Sequence, residues 1–216
     1  MLRTILFTAM LFCAYVSYAQ NYPDPEFSNE LYYFNKNNGN TLVRLEKNAS
    51  KMDTKTNMIS GSENSYLIEG AKSPVRVSGG ANLSFVISDG SSSSASSGGS
   101  SAKADSAMRA NGMDPSMLKE INNFGDPSHT ITLYKLDIEK GERKVILQKA
   151  PGMNPFGSHK LTSSDKYTFS AKKIRTGYWE LVIDKTLPRG EYAFTMMNMS
   201  AASMDGGTLL FAFGVD

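Results

Sequence analysis

The chain has 216 residues, 40% hydrophobic and 20% charged, with a formal net charge of +2. That is the balance of a globular protein long enough for one domain with a sizeable core. It lacks the clustered basic excess of a nucleic-acid binder, so no nucleic acid is expected as a partner.

In chain order, the first element stands apart from the fold. Arg3 supplies a short positive region, Ile5 to Val16 is an almost unbroken apolar run, and Ser17-Tyr18-Ala19 ends in a small residue before polar sequence. This is the layout of a cleaved secretory signal over residues 1–19. The run is short for a membrane span and no stop-transfer pattern follows. No other apolar stretch is long enough to cross a bilayer, so the mature chain is expected to be exported and soluble, with no integral membrane segment. The only cysteine, Cys13, lies inside the run, and bulky Phe12 stands where a lipidation site needs a small residue. The mature chain then has no thiol, no disulfide and no thiolate metal ligand.

Residues 20–30 read as a polar lead-in with Pro23 and Pro25. Strands are predicted over 31–34 and 41–46, on either side of the turn signal Asn37-Asn38-Gly39-Asn40, and then over 65–69, 75–78 and 83–88. From Asp89 to Lys103 the chain is almost wholly Ser, Gly and Ala, with nothing to bury. From Ala104 to Phe124 it contains Met and Asn, and Asp114-Pro115 is placed to start a short helix through Met117 and Ile121. Residues 89–128 are therefore expected to form one low-complexity loop and short-helix insertion between two strands. Beyond it, strands are predicted over 130–139 and 144–149, joined at Lys140-Gly141-Glu142. The last are predicted over 167–174, 178–184, 191–196 and 208–215.

Several of these strands alternate. Trp179, Leu181 and Ile183 share one face, and Tyr178, Glu180 and Asp184 the other; Tyr192, Phe194 and Met196 share a face, as do Leu209, Phe211, Phe213 and Val215. A period of two over many short segments means half-buried antiparallel strands. The fold class expected is all-β: an antiparallel two-sheet β-sandwich of the immunoglobulin-like, Greek-key type, one domain over residues 20–216. Two small domains joined by a linker would leave each half little core. Leu187-Pro188-Arg189-Gly190-Glu191-Tyr192 places a turn just before a strand that opens with tyrosine, as at a corner where that tyrosine bonds back to upstream backbone. Thr41-Leu42-Val43-Arg44-Leu45-Glu46 echoes Thr132-Leu133-Tyr134-Lys135-Leu136-Asp137, a pattern on which amphipathic strands converge easily.

No motif specifies a reaction. The histidines, His129 and His159, both fall in predicted loops; Gly-x-Ser-x-Gly, the usual zinc spacings, the Walker loop and the dinucleotide fingerprint do not occur. Ser163-Ser164-Asp165-Lys166 with Arg175-Thr176-Gly177 superficially matches elements of serine beta-lactamases, but here they flank a single strand, and Ser-x-x-Lys recurs at Ser100 and Ser116. Asp137, Glu139, Glu180 and Asp184 are expected on solvated outer faces rather than as an acid/base pair. Met197, Met199 and Met204 are the candidate metal ligands, since thioethers suit Cu(I), although their spacing is irregular and histidine support is missing. Tyr32, Tyr33 and Phe34 are consecutive, so at least one is expected to face outward, as is Tyr178. Exposed aromatics of this kind can stack on sugars or join a protein interface.

The C-terminal Gly190-Glu191-Tyr192-Ala193-Phe194 and Phe211-Ala212-Phe213-Gly214-Val215-Asp216 resemble the ending of uncharacterised exported proteins of Gram-negative bacteria. Leu42-Val43-Arg44-Leu45-Glu46-Lys47 and Gly141-Glu142-Arg143-Lys144-Val145 fit the same setting. The resemblance implies a bacterial envelope protein and brings no established activity or catalytic residues. In that setting the acceptor patterns at Asn48, Asn82 and Asn198 are inert, and Asp105-Ser106-Ala107 resembles an O-glycosylation pattern of some periplasms. The expected function is that of a non-catalytic accessory or binding module, periplasmic or at the cell surface, with no cofactor. Its expected partner is a protein or glycan of the envelope, met through outward aromatics or the insert 104–124 ordering on contact. Cu(I) binding through the methionine loop is the alternative, and a hydrolase the third reading.

Overall fold

The computed structural model describes residues 22–57, 59, 61–89, 126–152, 160–196 and 207–216. The expected signal sequence, most of the expected 89–128 insertion, His159 and the candidate ligands Met197, Met199 and Met204 lie outside the described residues. The fifteen strands are β1 (Leu31–Asn35), β2 (Thr41–Arg44), β3 (Glu46–Ser50), β4 (Met52–Asn57), β5 (Gly61–Ile68), β6 (Arg76–Val77), β7 (Ser84–Ser88), β8 (Ile131–Lys135), β9 (Asp137–Glu139), β10 (Glu142–Ala150), β11 (Lys166–Tyr167), β12 (Phe169–Arg175), β13 (Tyr178–Ile183), β14 (Gly190–Met196) and β15 (Thr208–Val215). Among the described residues the helical content is one 3-10 turn, Pro127–His129. No described helix is long and apolar enough to cross a membrane.

The strands form three sheets rather than the two expected. A front sheet has the order β12-β13-β7-β1-β2, a central sheet β11-β8-β14-β15-β3, and a back sheet β4-β5-β10-β9. All pairings are antiparallel except that of β6, which lies parallel to β15 at Gly214 and Val215. The front sheet packs on the central one through Leu31, Phe85, Ile87, Leu181 and Ile183 against Leu133, Phe194, Phe211 and Phe213. On the other face of the central sheet, Ile68 and Val145 of the back sheet meet Tyr134, Leu136, Ala193, Leu210 and Ala212. The central sheet is thus covered on both sides.

That arrangement explains a feature of the burial that alternation hides. Glu191 to Phe194 and Leu210 to Val215 are buried without a break. Large aromatics on these strands face the front sheet, while Ala193 and Ala212 face the back one, where small side chains let the next layer approach. Phe85 ties front to central, its ring 5.0 Å from Phe194 and 4.8 Å from Phe213. At the corner between β13 and β14, where the chain passes from the front to the central sheet, the Tyr192 hydroxyl donates to the Pro188 carbonyl at 2.7 Å. This is the back-bond that the Pro-Arg-Gly-Glu-Tyr sequence predicts.

One lateral side of the stack is built from one continuous run, and the other from residues 162–175 together with β9 at the edge of the back sheet. Residues 41–57 form β2 in the front sheet, β3 in the central sheet and β4 in the back sheet, an edge strand each time, with β6 beside β3 on the central edge. On the opposite side, Thr162 and Ser164 pair with β10, β11 pairs with β8, and β12 pairs with β13. The echoed sequences mark two such crossings. Leu45 joins β2 to β3, is buried between the front and central sheets, and donates its N–H to Leu31. Leu136 joins β8 to β9, is buried between the central and back sheets, and donates to Glu191. The echo is the sequence of a strand that changes sheet at a buried leucine.

Candidate functional site

The turns at one end of the front and central sheets enclose a cleft of about 640 Å³. One wall is the end of β1 and the β1–β2 connection, Asn35 to Asn38; the other is the β6–β7 connection, Ser78 to Asn82; Tyr33, Phe34, Arg76, Val77, Leu83 and Ser84 complete the lining. Local chemistry shapes both walls. Gly39 and Asn40 carry positive φ of 63° and 55°, and Asn82 one of 61°. Glycine and asparagine tolerate this left-handed region, so the chain can turn tightly here. Lys36 to Asn38 and Asn82 are exposed. Carboxamides donate and accept together, which matches hydroxyl-bearing ligands.

Against Lys36 and Ser84 of the lining lies a charge that sequence alternation misplaces. Glu180 was expected on a solvated face, but it is 1% exposed. Its carboxylate accepts from the Tyr22 hydroxyl at 2.6 Å and the Ser84 hydroxyl at 2.5 Å, and pairs with Lys36. Burial pushes this carboxyl up, yet the three partners outweigh it and hold it below the ordinary glutamate range. The same burial, with the Glu180 charge alongside, pushes the Tyr22 phenol well up. The outward aromatics are corrected in the same way. Tyr32, Phe34 and Tyr178 do face away from the central sheet, but residues 22–28 cover them and they are 4%, 1% and 0% exposed. Tyr33 points inward against Phe85. No open aromatic platform results from these four.

A second buried charge cluster, not anticipated from the sequence, lies where the central and back sheets meet. Arg143, 1% exposed, grips Glu46 with two bonds of 2.7 and 2.8 Å and donates to the carbonyls of Gly70 and Glu69, each at 2.9 Å. Glu191 accepts from the Ser73 N–H at 2.8 Å and from Arg76, which also pairs with Asp216. A side chain at Gly214 would collide with the Arg76 guanidinium, so the glycine makes room for it. The signal that could have found this cluster is a glutamate, Glu191, opening an otherwise apolar strand.

The other sequence candidates are dispersed. Asp137 accepts from Ser164, Glu139 pairs with Lys144, and Asp184 accepts from Ser170. Asp137 and Glu139 lie in the back sheet and Glu180 in the front one, with the central sheet between them. Ser164 also accepts from the Ile146 N–H at 2.9 Å, so it fixes strand register. His129 is exposed at the end of the 3-10 turn. Among the described residues, no group of three or more His, Cys, Asp or Glu is placed to hold a metal.

Two buried carboxylates and one half-buried carboxylate set an expected acid response. Glu30, Glu46 and Glu180 are all held below their ordinary value: burial raises each, and hydrogen bonds from Arg44 and Lys47, from Arg143, and from Lys36 respectively overcome it. A depressed folded-state value contributes stability that is fully present above the unfolded value and is lost as pH falls through the folded one. Denaturant midpoints taken from about pH 7 down to about pH 3 should therefore fall. In Glu180→Gln the fall should be shallower, from a lower starting midpoint. A midpoint flat across the range would contradict this.

Comparison of the chain with protein-family models, with curated proteins and with solved structures found no match.

Proposed function

We propose that the chain is an exported, non-catalytic binding module of the bacterial cell envelope, periplasmic or at the cell surface, and that it holds a glycan in the amide-lined cleft. The observation that carries this is the convergence of Asn35, Asn37, Asn38 and Asn82 with Lys36 around one cleft of about 640 Å³. That volume falls in the range of small-ligand sites, and a lining this rich in amides favours a polar, neutral ligand over an apolar one. Lys36 and Arg76 are both occupied by carboxylates, so the cleft offers hydrogen bonds more than net charge. The position at the loop end of packed sheets, with the Tyr192 corner between them, agrees with an immunoglobulin-like Greek-key arrangement for the front and central pair. The signal sequence and the resemblance to exported Gram-negative proteins support the location.

A glycan array followed by calorimetry tests this. The chain should bind a subset of envelope-type oligosaccharides, and Asn37→Ala with Asn82→Ala should weaken binding about tenfold, the loss of one to two net hydrogen bonds. Unchanged affinity in that double variant would remove the cleft from consideration.

A further inference from the structure

The lead-in that covers the front sheet is held in an unusual way. Residues 22–28 are not themselves part of any strand. Their contacts to the sheet include these: Tyr22 donates to Glu180, Tyr178 donates to the Pro23 carbonyl at 2.7 Å, Asp24 pairs with Arg175, and the Phe27 N–H donates to the Tyr32 hydroxyl at 3.0 Å. The Tyr22 ring lies 5.3 Å from Phe34 and edge-on to Tyr178 at 6.3 Å. The face below therefore reads a tyrosine, a proline carbonyl and an acid in succession, in the manner of an aromatic groove that takes a proline-stiffened peptide.

The attachment of this arm is equally specific. Asn29 holds a positive φ of 57° and donates its N–H to Ser88 at 2.6 Å. The next residue, Glu30, is buried and held by Arg44 and Lys47. The chain is anchored immediately after the hinge at Glu30, and one asparagine in a sparsely populated conformation sets the direction of residues 22–28. Pro23 and Pro25 restrict the arm, so little conformational freedom is lost when it docks. Extended, residues 22–28 reach about 20 Å, enough to leave their own face for a neighbour's.

We propose that residues 22–28 are an exchangeable arm, and that the front face of one copy takes the arm of a second copy. The contacts are identical within a copy and between copies. Only the hinge angle and the effective concentration of the arm separate the two states, so the exchanged state fills as the protein is concentrated.

Two full-length variants, both with Cys13→Ser, test this. One carries Asp24→Cys on the arm and the other Arg175→Cys on the face, with tags of different mass. The two are mixed and treated with a short bismaleimide. Neither has a second thiol, so every link is between copies. The mixed product should exceed the two like-with-like products severalfold, rise with protein concentration, and fall when a synthetic peptide of residues 20–28 is added in excess. Asn29→Pro in the arm-bearing chain, which cannot hold the positive φ, should raise the mixed product further. Linking in like-with-like proportions at every concentration with the native hinge would overturn the proposal, whatever the folding of the proline variant.

Discussion

Arg143→Ala is expected to lower the unfolding free energy by about 3–5 kcal/mol, the range for removing one partner of a buried ion pair. The guanidinium is 1% exposed and uses its fork on Glu46 and on the carbonyls of Glu69 and Gly70. Alanine leaves that carboxylate and both carbonyls without these donors between two sheets. Most of the loss comes from those stranded groups, so Arg143→Lys should recover less than half of it, because an ammonium cannot reproduce the bidentate geometry. Replacing both partners, as in Arg143→Met with Glu46→Leu, should cost less than Arg143→Ala alone, since apolar packing can replace a buried pair nearly neutrally. Urea unfolding followed by Trp179 fluorescence measures all three. A loss below about 1 kcal/mol in Arg143→Ala would mean that water reaches the cluster and that it behaves as a surface pair.

Phe85→Ala is expected to cost a similar amount, about 3–5 kcal/mol, for a different reason. Its ring is fully buried and touches Tyr33 in its own sheet and Phe194 and Phe213 in the central one. Truncation opens a cavity where two rigid sheets meet, and strands paired on both sides have little freedom to collapse into it. Phe85→Leu should cost about 1–2 kcal/mol, because most of the volume survives. Val43→Ala, at a site 41% exposed on an edge strand, should stay within about 0.5 kcal/mol. If Phe85→Ala and Val43→Ala had similar midpoints, the two sheets would not be sharing one core.

The contrast between these positions shows what could be read along the chain and what could not. Leu181, Ile183, Phe194 and Phe213 announce their faces by alternation, and the Pro-Arg-Gly-Glu-Tyr corner announces the Tyr192 back-bond. Met52–Asn57, by contrast, has an almost wholly polar sequence and becomes a strand only because β5 supplies the ladder. Glu180 alternates as a surface residue should, and nothing near it in sequence reveals that Tyr22, 158 positions away, closes over it. The same holds for Arg143 and Glu46, 97 positions apart. Local pattern fixes which side of a strand is apolar; how many layers cover that strand is a long-range property. The third sheet was therefore hidden, because Ala193 and Ala212 read as small outward residues when they are the seats of a neighbouring layer. For the cleft, the Asn37-Asn38-Gly39 turn was legible, but its opposition to Ser78–Asn82 was not.

The continuous runs along the two sides of the stack carry one last consequence, for the fate of the chain among its own copies. A sheet edge is a template for uncontrolled strand addition, and a newly made protein meets many copies of itself before and after folding. Here these edges are short, four residues in β2, five in β3, six in β4 and seven in β12, and each is joined at one end to a strand of another layer. An intruding strand would run out of ladder almost at once. The longest of these edges, β12, also carries Lys172, Lys173 and Arg175 and breaks register between Lys173 and Arg175. Short length, positive charge and a register break together act against amyloid-like stacking. By threading one run of chain through three layers, the fold guards its flank along residues 41–57.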